Sequence, residues 1–115
     1  LMHCVSIYPQ DYSEANILKM KKLKSLCKNV GLSDHIEGVE SSKVAIGEGA
    51  VIIEKHFTID KNLPGRDNKF SILPEQLKNL TDFIKNRELM FIDHGDGYNA
   101  KEKDSRINYT GRFNG

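Results

Sequence analysis

Three apolar runs in this sequence each close on polar residues able to do chemistry. Leu1-Met2-His3-Cys4-Val5 leads into Ser6-Ile7-Tyr8, Val30-Gly31-Leu32 into Ser33-Asp34-His35, and Ala50-Val51-Ile52-Ile53 into Glu54-Lys55-His56. In parallel α/β folds the ligand lies beyond the C-terminal ends of the strands. Neighbouring parallel strands are about 4.8 Å apart, so His35 and His56, one βα unit apart, can reach one metal ion. Imidazole suits several divalent transition metals. Two histidines leave coordination positions open for substrate and water, which is the pattern of a catalytic site, not a closed structural one. The plainer alternative is that each is a hydrogen-bonded rim histidine.

The elements that must position these residues alternate strand, helix, strand, helix, strand, helix. The first strand is read over residues 1–5. A helix is expected from about Ser13 to Cys27, with Asp11 or Ser13 at its start and lysines 19, 21, 22 and 24 on its solvated side. A short helix is expected over Glu40 to Ile46, ended by Gly47 and Gly49. Pro74 suits the first position of a third helix carrying Leu77, Leu80, Phe83 and Ile84 at helical spacing. Three βα units in a row imply a parallel sheet with right-handed crossovers, in a doubly wound sheet or a TIM barrel. No GxGxxG or GxxxxGK[ST] follows a strand, so dinucleotide and P-loop readings fail. Residues 93–115, polar and rich in Gly and Asn, read as an extended tail or linker.

Other chemically capable residues have plainer readings. His3 lies inside a strand and reads as a satisfied core histidine. Cys4 and Cys27 fall on apolar faces and read as small hydrophobes. His94 lies in the polar tail. With 17 basic and 16 acidic residues the net charge is +1, which gives no electrostatic case for nucleic acid or an anionic membrane. No apolar run approaches the ~20 residues of a membrane span, and the start has no signal-peptide pattern. Two cysteines among 115 residues are too few for a disulfide scaffold, so a reducing cytoplasm is the expected compartment. The chain opens directly on a strand, which reads as a piece of something longer.

Four segments carry a resemblance. They are His3-Cys4-Val5-Ser6-Ile7-Tyr8-Pro9, Val30-Gly31-Leu32-Ser33-Asp34-His35, Ile53-Glu54-Lys55-His56-Phe57-Thr58 and Leu63-Pro64-Gly65-Arg66-Asp67. In this order and spacing, covering residues 1 to about 90, they resemble the sialic acid (N-acetylneuraminate) synthase family, whose relatives make legionaminic and pseudaminic acids and serve spore-coat polysaccharide synthesis. The resemblance implies that residues 1–92 are the last three βα units of a (β/α)8 TIM barrel. Five upstream units and a small antifreeze-like domain would complete the protein. It also implies condensation of phosphoenolpyruvate with an open-chain N-acetylated amino sugar, such as N-acetylmannosamine, to a nine-carbon 2-keto acid and phosphate.

Residue by residue, the resemblance makes His35 and His56 the ligands of a divalent metal, Mn2+ or Mg2+. Ser33 would contact phosphoenolpyruvate and Tyr8 would lie near the amino sugar. Ser6 would stand at a ligand position that is asparagine in some members. Asp67 would bind sugar hydroxyls, and Glu54 would support the metal-binding histidine. Lysines for the phosphate and the base would lie upstream, and a homodimer is expected of the full-length form. Two departures leave the sugar open: Arg66-Asp67-Asn68 stands where many members read Pro-Asp-His, and Asp104 to Gly115 has no counterpart in familiar bacterial sialic acid synthases. Arg66 reads either as solvent-facing or as a donor fork for Asp67 or an anionic substrate group. The alternative function is a degenerate relative, a non-catalytic α/β module that binds metal or a partner. Retention of both histidines argues against decay.

Overall fold

The computed structural model describes residues 1–109 and 111. Three short strands, β1 (Met2–Cys4), β2 (Gly31–Asp34) and β3 (Ile52–Lys55), form one parallel sheet in sequence order. Met2 pairs with Gly31 and Gly31 with Ile52; Cys4 pairs with Ser33 and Ser33 with Glu54; Asp34 and Lys55 form the last paired row of β2 and β3. β1 is shorter than the strand expected over residues 1–5, whereas β2 and β3 run two residues past the apolar runs that marked them. Ser33, Asp34, Glu54 and Lys55 are strand residues, because their backbone groups continue the ladder although their side chains are polar.

The crossover from β1 to β2 corrects the expected helix over 13–27. A 3-10 turn (Tyr12–Glu14) is followed by helix α1 (Lys19–Lys24) only. Asn16, at φ 45°, separates them. Asparagine tolerates this left-handed backbone, which a helix cannot continue through. The turn is fastened by Glu14, whose Oε2 accepts the Asp11 N–H at 2.9 Å. Helix α2 (Glu40–Gly47) begins with Glu40 accepting the Val39 N–H at 3.1 Å, an acidic first turn that suits the helix dipole. Gly49 at φ 86° lets the chain turn back, so that its N–H reaches Ile46 O at 3.0 Å and the Ala50 N–H reaches Ala45 O at 2.8 Å. Helix α3 (Pro74–Met90) starts on proline as the sequence indicates, with the Leu73 N–H donated to Gln76 Oε1 at 3.0 Å.

One face of the sheet is covered. Met20, Val30, Leu32 and Ala45 form one core cluster, and Val39, Ile46, Ile72 and Leu80 a second, with Ile53 packed against both. His3 belongs to this face; it is buried and its Nε2 lies 2.8 Å from Ala15 O, a satisfied core histidine as expected. The opposite face holds Met2, Cys4, Gly31, Ser33, Ile52 and Glu54. Gly31 cannot carry a side chain here, since a Cβ would stand 2.6 Å from Ile52 O. Cys4 is exposed rather than packed as a small hydrophobe, because it points to this open face.

Beyond residue 92 the described chain leaves the sheet. The segment read as an extended tail contains helix α4 (Ala100–Tyr109), exposed throughout. Asn99 and Glu102 fasten its start reciprocally, each side chain accepting the other's backbone N–H at 3.0 and 2.8 Å. No helix among the described residues is long and apolar enough to cross a membrane.

Candidate active site

The site lies at the C-terminal edge of the sheet, where the chain leaves β1 and β2 and enters the loop after β3. His35 and His56 follow the paired Asp34–Lys55 row directly, which brings them onto one side of adjacent strands. Their ring centres are 5.7 Å apart and the rings are inclined by 33°. His35 Nδ1 is 2.8 Å from the Val5 carbonyl oxygen. A carbonyl only accepts, so Nδ1 carries a proton, and in the neutral ring Nε2 is the nitrogen with the lone pair. Ring orientation by a backbone carbonyl is the usual support of a metal-binding histidine.

Tyr8 closes one side. Its ring centre is 4.7 Å from that of His35, 5.6 Å from His56 and 5.4 Å from Phe70. Burial pushes the Tyr8 hydroxyl above its ordinary value of 10.0, and the negative charges of Asp67, Cys4 and Glu54 raise it further. Tyr8 is therefore a neutral hydrogen-bond donor near pH 7, with two carboxylates close enough to disfavour its ionised form. Asp67 stands at the head of a 3-10 turn (Asn68–Phe70), where its carbonyl accepts the Ser71 hydroxyl at 2.9 Å. That turn brings Asp67 and Phe70 over the strand ends.

Ser33 donates its hydroxyl to Glu54 Oε1 at 2.7 Å, so these two residues are bound to each other across β2 and β3. Ser6 is exposed, with Oγ 3.1 Å from Cys4 Sγ, and Cys4 Sγ is 3.9 Å from His35 Nδ1. Seven residues singled out in the sequence thus fall at one edge: His35, His56, Tyr8, Ser33, Glu54 and Asp67 around the rim and Ser6 at its outer margin. Arg66 is exposed, with no hydrogen bond or ion pair to Asp67.

Sequence reasoning missed Phe70, which no motif flags, and the surroundings of Asp34. Asp34 and Lys55 form a buried ion pair at 3.1 Å on the covered face, with 2% and 6% of their side chains exposed. Their signal was available, since each immediately precedes one of the two histidines. A cleft lined by Pro9, Gln10, His35, Gly38, Phe70 and Gln76 opens beside His35.

Two histidines are what this chain offers a metal ion; among the described residues no group of three or more His, Cys, Asp or Glu could hold one. The spacing of the pair allows a shared ion. With a ligand bond of 2.0–2.1 Å, rings bound to one ion have centres at most roughly 6.4 Å apart, and the observed 5.7 Å lies inside that limit.

A parallel α/β sheet with this rim defines a class, and sequence comparison names it. The NeuB family pattern matches residues 1–96, and the chain belongs to that family, as a sialic acid synthase-like protein. The chain is 40% identical over 109 residues to the N,N'-diacetyllegionaminic acid synthase of Campylobacter jejuni, covering 94% of this chain and 32% of that protein. It superposes on the spore coat polysaccharide biosynthesis protein SpsE of Bacillus subtilis with a TM-score of 0.70 at 42% identity, over 76% of this chain and 25% of that one. On the N-acetylneuraminic acid synthetase of Leptospira borgpetersenii, solved with citrate, the TM-score is 0.71 at 35% identity, over 98% of this chain and 40% of that one. The last match runs over nearly the whole sequence. Its span takes in most of the C-terminal segment as well. The chain spans between a quarter and two fifths of the length of these relatives.

Proposed function

We infer that the chain is the C-terminal part of the catalytic (β/α)8 barrel of a sialic-acid-type synthase. The whole protein would condense phosphoenolpyruvate with an N-acetylated amino sugar, giving a nine-carbon 2-keto acid and phosphate. The observation that carries this reading is the convergence of His35, His56, Tyr8 and Asp67 at one sheet edge in a NeuB-family chain.

His35 and His56 would hold a divalent metal, Mn2+ or Mg2+, His35 through Nε2 because Nδ1 is engaged by Val5. When bound, the ion would supply Lewis acidity to the sugar's aldehyde. Tyr8 would wall the site and donate a hydrogen bond to the sugar, and Asp67 would accept from its hydroxyls. Ser33 keeps lone pairs free while donating to Glu54, and Glu54 in turn stiffens the strand that carries His56. In the reaction the enol carbon of phosphoenolpyruvate attacks the aldehyde carbon. Water adds to the resulting cation at C2, and phosphate leaves with cleavage of its C–O bond. Residues upstream would supply the phosphate contacts and the base.

The test uses the natural protein that carries this chain. It is supplied with phosphoenolpyruvate, Mn2+ or Mg2+, and either N-acetylmannosamine or a 2,4-diacetamido trideoxy hexose. Phosphate release that requires both substrates, with a 2-keto acid product, is expected, and His35→Ala or His56→Ala should reduce turnover to near background. No product with any amino sugar, alongside intact metal binding, would return the protein to the non-catalytic alternative.

A further inference from the structure

The two histidines sit on the ends of β2 and β3, yet the residue pair that fixes those ends lies on the other side of the sheet. We propose that the buried Asp34–Lys55 pair is the positioning device that sets the separation and orientation of His35 and His56. This inference rests on the metal-binding reading above.

The geometry is specific to His35. Asp34 Oδ1 accepts the Ile36 N–H at 3.1 Å, and Lys55 Nζ donates to the Ile36 carbonyl at 2.5 Å. Both backbone groups of the residue after His35 are therefore held by the pair, with His35 alone between Asp34 and Ile36 at the crest of the turn. Lys55 holds that turn and is itself the residue before His56, so one ion pair at 3.1 Å links the backbone on the near side of both histidines. The carboxylate is aimed from behind by Ser41 and Ser42, whose hydroxyls donate to Asp34 Oδ2 at 2.7 and 2.5 Å from the first turn of α2. The His56 carbonyl accepts the Ile72 N–H at 2.9 Å, which fixes that ring's backbone from the far side.

Stability alone gives no reason for this arrangement. Replacing a buried ion pair by apolar residues of like volume is often neutral or stabilising, because desolvation offsets the attraction. A carboxylate with four donors and an ammonium spanning to a carbonyl do supply what an apolar pair lacks, a fixed backbone path through His35. Neither side chain reaches the open side of the rim, so both are positioning residues.

The experiment measures Mn2+ binding to the natural protein by electron paramagnetic resonance of the free ion, with spin-echo detection of coupled imidazole nitrogens. The charge-neutral double variant Asp34→Asn/Lys55→Met should fold, and should bind Mn2+ about ten- to a hundredfold more weakly, with fewer coupled nitrogens than the parent's two. Ser42→Ala keeps both charges and should weaken binding less, on the order of threefold. A merely structural pair would lower the melting temperature but leave the two-nitrogen signal and the affinity of the folded protein unchanged, and that result in whichever variant folds overturns the proposal. His35→Ala and His56→Ala are the reference. If they abolish binding while the double variant and Ser42→Ala retain the parent's affinity, the proposal alone fails. If they leave binding intact, the metal reading fails and the proposal with it.

Discussion

The two faces of the same three strands have opposite characters. Towards the helices lie His3, Leu32, Asp34, Ile53 and Lys55, and every polar group among them is satisfied within a few ångströms. Towards the other side lie Met2, Cys4, Ser33, Ile52 and Glu54, of which Met2 is 37% and Ile52 54% exposed. Gly31 lies there against Met2 and Ile52, and Ser33 is bonded to Glu54. Because side chains alternate along a strand, one residue of displacement separates structural chemistry from available chemistry. Asp34 is buried and bound while His35 keeps a free ring nitrogen; Lys55 is buried while His56 lies in the ring cluster. The lesson is that a polar residue at a strand end says little until its face is known.

The sharpest way to break the contrast is to leave one charge alone on the covered face. Asp34→Asn or Lys55→Met, made singly, strands the partner in a buried site and should destabilise the natural protein by about 3–5 kcal/mol. Denaturant unfolding measures this, and the double variant should recover most of the loss. A single variant within about 1 kcal/mol of the parent would mean that water reaches the pair and that the covered face is not closed.

The open face supplies the next test. Exposed apolar residues lie beside the outer edges of β1 and β3, which pair with no other strand among the described residues, and such a surface favours association. The 115-residue chain by itself should self-associate, seen as mass above the monomer in sedimentation. Ile52→Ser should reduce that association without lowering the melting temperature of the isolated chain. In the natural protein the same substitution should cost about 1.5–3 kcal/mol, the value of one buried isoleucine. Equal effects in both settings would show that the face stays open and that no barrel closes over it.

How much of this could be read from the sequence follows from the same alternation. The order of the three strands and the polar residues that close them were legible, because three apolar runs in succession pass directly into Ser6 and Tyr8, Ser33 to His35, and Glu54 to His56. Helices α2 and α3 were legible through Gly47 and Gly49 and through Pro74. Register was not. Ser33 and Glu54 extend the ladder only because Cys4 and each other stand opposite, a fact of pairing across 21 residues and more. The break at Asn16 escaped because an apolar helical spacing persists through it while the backbone does not. Helix α4 escaped because it has no apolar stripe; its sequence AKEKDSRINY is polar nearly all round, the case in which periodicity carries no information. Tyr8 was legible as a residue just past the first strand, whereas Asp67, in a Pro/Gly loop, came to the site only by resemblance; their proximity is visible only in three dimensions.

Tyr8 offers a measurement of that proximity. Burial first, then the charges of Asp67, Cys4 and Glu54, raise its hydroxyl above the ordinary 10.0. The unfolded chain therefore ionises at this position before the folded one, and the folded state loses stability as pH rises from 10 through the raised value. Below that window Tyr8 contributes no pH dependence. In an ultraviolet titration of the natural protein, Tyr8→Phe should remove a late-titrating tyrosine, and Asp67→Asn should bring that component to lower pH. A late component unmoved by Asp67→Asn would separate Asp67 from the rim.

The smallest effect belongs to Arg66. It neighbours Asp67, and its fixed charge and donor fork could serve an anionic substrate group. The structure leaves it exposed, with no bond to Asp67 and no place in the Tyr8–His35–His56–Phe70 cluster. A surface side chain of this kind changes stability by no more than about 0.5 kcal/mol when replaced. Arg66→Ala should accordingly leave the unfolding midpoint unchanged. A charge-assisted hydrogen bond to substrate is worth about 1.5–3 kcal/mol, so losing one would change kcat/KM by more than tenfold for whichever sugar uses it. The comparison is therefore the ratio of kcat/KM for N-acetylmannosamine and a 2,4-diacetamido trideoxy hexose, measured in parent and variant. The ratio should stay within about threefold, below the loss expected of one such bond. A tenfold change with stability intact would move Arg66 from the solvated surface to the sugar-facing wall beside Asp67.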